Sequence, residues 1–143
     1  MDNSNRRTIL AALIGFAAAI FGGRHAAAAL DERQRHFVAE AFRMKTDAER
    51  AGDQPYGAVV VRGGEIVGWG PSRVVTNKDW TAHAEREAIR DAEARLQSAE
   101  LAGCVIYSTS RPCSNCERAA AAAKIERMFY GADAADAGRP KSL

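Results

Sequence analysis

A chain of 143 residues has room for one hydrophobic core, because two half-size units would each bury too little surface to stand alone. With 47% hydrophobic and 27% charged residues and only four prolines, the composition excludes a disordered or fibrous chain. A formal charge of +2 excludes the large basic excess of a general polyanion binder.

The first 29 residues read as separate from that core. Arg6 and Arg7 precede an uncharged run over 8–23, and four alanines, Ala26 to Ala29, stand before Leu30. This is the three-part layout of an export signal. A membrane span needs roughly 18 to 20 apolar residues, and this run is shorter and rich in alanine and glycine, so no stable span is expected. An amphipathic or buried first helix is the alternative. The stretch Asn5-Arg6-Arg7-Thr8-Ile9-Leu10 resembles a bacterial twin-arginine signal, which implies a periplasmic protein. Without residues 1–29 the chain carries 17 basic and 17 acidic side chains, and nucleic acid is not an expected partner.

Residues 30–143 then form the expected domain. Asp31 and Gln34 have the spacing of a capping box, and Phe37, Ala41, Met44 and Ala48 recur at helical intervals, predicting a helix over 31–51 that ends at Gly52. Ala58-Val59-Val60-Val61 and Ile66-Val67-Gly68-Trp69, separated by Gly63-Gly64, predict a hairpin. A turn-rich loop over 71–79 leads to a helix over 82–97 and a strand over 104–107. Pro112 suits the first position of a third helix, over 112–123, because its missing N–H has no partner there in any case. A strand over 128–130 closes at Gly131. The order α-β-β-α-β-α-β predicts an α/β domain of three layers, α/β/α, with a mixed central sheet.

Two stretches carry chemistry. Cys113 and Cys116 stand at i and i+3, on one side of a helical turn, and a helix N-terminus favours their thiolate form. His83 and Glu85 are two apart and diverge within a helix, so they can converge only off its end. One His and two Cys leave a fourth tetrahedral position open, the arrangement of a catalytic rather than a structural zinc site. Glu85, a carboxylate beside the metal but not bound to it, has the chemistry of a proton shuttle.

The pairing H-x-E with P-C-x-x-C, here His83-Ala84-Glu85 and Pro112-Cys113-Ser114-Asn115-Cys116, resembles the cytidine and deoxycytidylate deaminase superfamily. Residues 55–61, 76–85 and 124–131 extend the resemblance over nearly all of the domain. It implies a cytidine deaminase-like fold, Zn²⁺ held by His83, Cys113 and Cys116, and Glu85 as acid and base. It also implies substrate contacts from Asn77 and from the backbone around Ala58 and Ala84. The chain most resembles the guanine and nucleoside deaminase branch, whose members act on a small base or nucleoside and are commonly oligomeric. A homodimer is therefore expected, with the pocket completed by the second subunit, since only thirteen residues follow Tyr130.

Other readings stand beside these. The same motifs occur in tRNA adenosine deaminases; Cys113 and Cys116 suit a redox pair; and a zinc-stabilised binding module needs the ligands but not Glu85. Asn77 equally suits a turn that bonds its own backbone. Cys104 reads as a plain buried thiol. Trp80 and Arg111 replace the Pro and Glu usual in the family: Trp80 as a stacking wall or the lid of a core, Arg111 as an anion contact or a partner of Glu117.

Overall fold

The computed structural model describes residues 29–142; the expected export signal lies outside this range except for Ala29. Asp31 opens the first helix, α1 (Glu32–Arg50), through the expected capping box: its carboxylate accepts from Gln34 N at 2.7 Å and Gln34 Oε1 accepts from Asp31 N at 3.2 Å. The buried stripe is Phe37, Ala41, Met44 and Ala48.

The hairpin follows as β1 (Gly57–Arg62) and β2 (Glu65–Pro71), turned by Gly63 and Gly64 at φ 58° and 82°. Two consecutive positive φ values suit the tight turn whose twist matches its strands. Then come α2 (Ala84–Leu96), β3 (Cys104–Ser108), α3 (Ser114–Ala122) and β4 (Arg127–Tyr130). Both α2 and α3 begin two residues later than the sequence pattern suggests, because His83 and Cys113 are their N-caps, in extended conformation. A fifth strand, β5 (Ala135–Gly138), pairs antiparallel with β4 and has no counterpart in the expected order. Its residues, Ala-Asp-Ala-Gly, are poor strand formers, and an edge position on β4 places them.

The sheet runs β2-β1-β3-β4-β5, antiparallel except for the β3 and β4 pair joined through α3. Strand β1 is buried on both faces, so it reads as a continuous apolar run rather than an alternating one. Val59, Val61 and Tyr107 pack with α1 on one face; Ala58, Val60, Ile106 and Met128 pack with α2 and α3 on the other. The three layers are those expected.

One close approach sets the position of α2. Its inner stripe is Ala84, Ala88 and Ala92, and it lies on Gly68 and Gly70 of β2. A β-carbon at Gly70 would overlap the Ala84 carbonyl and the Ala88 amide. The absence of a side chain there lets the first turn of α2 sit down on the sheet. That turn carries His83 and Glu85.

Candidate metal centre and active-site cleft

The N-terminal ends of α2 and α3 meet at one place. His83 Nδ1 lies 3.7 Å from Cys113 Sγ and 3.5 Å from Cys116 Sγ, and the two sulfurs are 3.3 Å apart. Ligands about 2.0 to 2.3 Å from a tetrahedral zinc are separated by roughly 3.3 to 3.8 Å, so the three atoms suit one ion. Both cysteines are free thiols, and their separation is far beyond the roughly 2.05 Å of a disulfide. A redox-bonded pair is not what the fold holds.

The donor chemistry also fits. Burial pushes the Cys116 thiol far above the usual range, and the charge of Glu85 and the neighbouring Cys113 push the same way. A fully buried sulfur in such surroundings becomes a thiolate only beside a cation.

Glu85 follows the ligand His83 by two residues and is buried. Ser108, at the end of β3 and also buried, donates its hydroxyl to Glu85 Oε1 at 3.0 Å. The Cys116 thiol also lies against this carboxylate, which places Glu85 directly beside the metal ligands. Ala58 lies opposite Ser108 in the β1 and β3 register, buried under the same face of the sheet.

A cleft of about 560 Å³ opens onto this group, lined by Gln54, Tyr56, His83, Ala84, Glu85, Ser110, Arg111 and Cys113. Of the residues expected at the site, His83, Ala84, Glu85 and Cys113 line it and Cys116 completes the metal cluster, with Ala58 behind them. Asn77 is exposed in the loop after β2 and lines none of the cavities beside the metal; its backbone N–H donates to Arg73 O at 2.9 Å. Arg111 lies over the Tyr130 ring, 5.6 Å from its centroid, and donates to its hydroxyl at 3.3 Å, rather than pairing with Glu117. Trp80 is 70% exposed and so covers no core.

Two residues absent from the sequence reading shape the cleft walls. Ser108 is one. Asp53 is the other: its Oδ2 accepts from Val75 N (3.0 Å), Thr76 N (2.8 Å) and Thr76 Oγ1 (2.9 Å), and its Oδ1 accepts from Ser72 Oγ (3.0 Å) and Gln54 N (2.8 Å). Burial alone would raise its carboxyl, but the donors from Thr76, Gln54 and Ser72 outweigh that and hold it well below the usual range. Asp53 thus ties the 72–76 loop to the wall that carries Gln54 and Tyr56. The sequence signal was only an Asp before a Pro-containing turn.

Comparison with known proteins agrees with this geometry. Residues 31–132 match the family model of the cytidine and deoxycytidylate deaminase zinc-binding region. The chain is 39% identical over 106 residues to the guanine deaminase of Bacillus subtilis, covering 71% of this chain and 68% of that one. A solved structure of that guanine deaminase superposes with a TM-score of 0.65 at 34% identity, over 71% of this chain and 64% of that one. The tRNA-specific adenosine deaminase of Aquifex aeolicus is 37% identical over 99 residues, 69% of this chain and 66% of its own length. The tRNA(Ile)-lysidine synthase of Deinococcus deserti is 41% identical over 102 residues, 71% of this chain but only 19% of its own length. With its zinc site at His83, Cys113 and Cys116 and its three-layer fold, the chain belongs to the cytidine and deoxycytidylate deaminase superfamily.

Proposed function

We propose that this protein is a hydrolytic deaminase that replaces the exocyclic amine of a small purine or pyrimidine base or nucleoside with a carbonyl, consuming water and releasing ammonia. The observation that carries this reading is Glu85: a buried carboxylate fixed by Ser108, beside three zinc ligands and facing a cleft. A module that only bound zinc would have no use for it.

Zinc, when bound, supplies the Lewis acidity that makes water a nucleophile near neutral pH. The residues do the rest. Ser108 orients Glu85 through Oε1, and the carboxylate takes a proton from the attacking water and returns it to the departing amine. Tyr56 and Arg111 form the outer walls of the cleft, one a flat ring for a planar substrate and the other a donor. The test is ammonia release from a panel of free bases, nucleosides and nucleotides by the zinc-loaded protein. Release from none of them overturns the reading.

Adenosine deamination on tRNA is the second reading, favoured by the similarity to the Aquifex aeolicus enzyme. The balance of 17 basic and 17 acidic residues after position 29 favours the small substrate. From the sequence we also propose export to the periplasm through the twin-arginine-like segment, and a homodimer. Among the described residues no helix is long and apolar enough to cross a membrane.

A further inference from the structure

The cleft that holds Glu85 carries two opposite charges that do not neutralise each other. Among the described residues of its lining, Glu85 is the only carboxylate and Arg111 the only Arg or Lys. Neither makes an ion pair among the described residues: Glu85 accepts from Ser108, and Arg111 sits on Tyr130.

The sheet anchors the two groups side by side. Ser108 ends β3 and Tyr130 ends β4, and they are partners in the parallel register of those strands, one strand spacing of roughly 4.8 Å apart. Ile106 and Met128, two positions earlier in each strand, pack on the α2 and α3 face, so the alternation of a strand puts Ser108 and Tyr130 on that same face. They stand at the carboxyl ends of parallel strands, the edge where ligands of open α/β sheets bind. From there Ser108 holds Glu85 at 3.0 Å and Tyr130 holds Arg111 at 3.3 Å.

Arg111 is fixed at one edge and free at the other. Its Nη1 donates to the Tyr130 hydroxyl, and its guanidinium lies over the ring, 5.6 Å from the centroid. Its Nε and Nη2 donate to nothing among the described residues. Those two groups form the side-on fork that meets both oxygens of one carboxylate. A ring carbonyl, the acceptor of an ordinary base, would fill only half of it. Because the anchors of Glu85 and Arg111 are neighbours on the sheet, the acid belongs on the same ring as the amine rather than on an attached sugar.

We propose that Arg111 is a specificity-determining residue and that the substrate is an aminated pyrimidine or purine whose ring bears a carboxylate. The amine meets Glu85, the ring lies against the exposed Tyr56, and the carboxylate takes the Nε and Nη2 edge of Arg111. This rests on the deaminase reading and narrows its substrate class. The reaction balances as before: water enters, ammonia leaves, and the carboxylate is unchanged.

The test uses the full-length, zinc-loaded protein with cytosine, adenine and guanine, each beside its ring-carboxylated acid and the matching carboxamide, reading kcat/KM for ammonia release and binding by calorimetry. The acid of at least one ring is expected to exceed its carboxamide by about tenfold or more in kcat/KM, the scale of one charge-assisted contact. Arg111→Gln should lower the acid about tenfold more than the parent base, and mainly through KM, because the contact is made in ground state and transition state alike. Arg111→Lys should fall between, since charge without the fork recovers part of the contact. Tyr130→Phe keeps the ring but removes the hydroxyl that aims the guanidinium, and should narrow the advantage of the acid by about threefold. Zinc content and melting temperature show that each variant is folded. Acids no better than their carboxamides on all three rings, or an equal loss of acid and parent base in Arg111→Gln, overturn the proposal. If neither these compounds nor nucleosides release ammonia, the deaminase reading falls and calorimetry decides the subsite by itself: binding of an acid that needs Arg111 sustains it, and the lack of such binding removes it.

Discussion

Ser108 and Glu85, 23 residues apart, meet at 3.0 Å beneath the metal centre, both nearly excluded from solvent. The hydroxyl fixes one carboxylate oxygen and so orients the group that the proposed chemistry uses to move protons. Glu85→Gln should keep zinc and fold while losing about 10²- to 10⁴-fold in kcat, the usual share of acid and base catalysis. Ser108→Ala removes the fixing bond but not the shuttle, and should cost about tenfold or less. Metal analysis beside steady-state kinetics checks both; a Glu85→Gln protein as active as its parent overturns the assigned role.

Removing a ligand has a different signature. Burial, Glu85 and Cys113 all hold the Cys116 thiol high, so the thiolate pair depends on a cation. Cys113→Ala, or prolonged chelation of the parent, should lose zinc and lower the melting temperature together. Calorimetry with and without added zinc reads this, and only the chelated parent should recover. A melting temperature indifferent to zinc would contradict a metal-stabilised pair.

Asp53 links stability to pH with a definite sign. Its carboxyl is held well below the usual range in the folded protein, so the stabilisation is fully present above about pH 4, near the unfolded value. It is lost as pH falls through the folded value. Asp53→Ala leaves the Val75 and Thr76 amides without their acceptor and should cost about 1 to 3 kcal/mol at pH 7. Denaturant titrations of parent and variant should converge as the pH drops below about 4. A difference that grows toward acid pH would mean the sign is wrong.

What the sequence could and could not reveal follows from range. The capping box at Asp31 and Gln34, the Gly63-Gly64 turn and the Cys113 and Cys116 pair are local, with partners within a few positions, and each is found as expected. The separation of His83 and Glu85 by two residues was enough to place the site off the end of α2, where His83 is the N-cap. Ser108 acts on Glu85 and Asp53 on Val75 and Thr76, each more than twenty residues away, and both look like ordinary strand and turn residues until the fold brings those partners in. Strand β5 has no apolar alternation at all, and only pairing with β4 defines it. Asn77 was read from the resemblance, while the fold puts it outside the lining of the cleft.

The export proposal has its own test. Free thiols at Cys113 and Cys116 that cross a membrane unfolded risk oxidation before metal arrives, whereas a folded, zinc-loaded domain carries them already bound. Replacing Arg6 and Arg7 together by lysine should retain the protein in the cytoplasm with its first 29 residues attached. Fractionation and intact mass measure both, and normal export of the double variant would remove the twin-arginine assignment.

Salt dependence separates the small substrate from RNA. A folded RNA is held through many phosphates, and each neutralised contact adds nearly one unit to the slope of log affinity against log salt. This chain offers little for such a surface: after residue 29 its charges balance, and Arg43, Arg90, Arg95 and Arg127 are each paired with Glu or Asp. Arg86 and Arg118, which border the groove between α2 and α3 and have no ion pair among the described residues, are too few to hold a backbone. The expected slope of log kcat/KM against log salt is therefore near zero for a nucleoside and no steeper than about −1 for its monophosphate, measured between 50 and 300 mM salt, a range about that over which multi-phosphate binders lose most of their affinity. A stem-loop substrate with a slope of about −4 or steeper, together with no turnover of any small substrate, would transfer the assignment to tRNA.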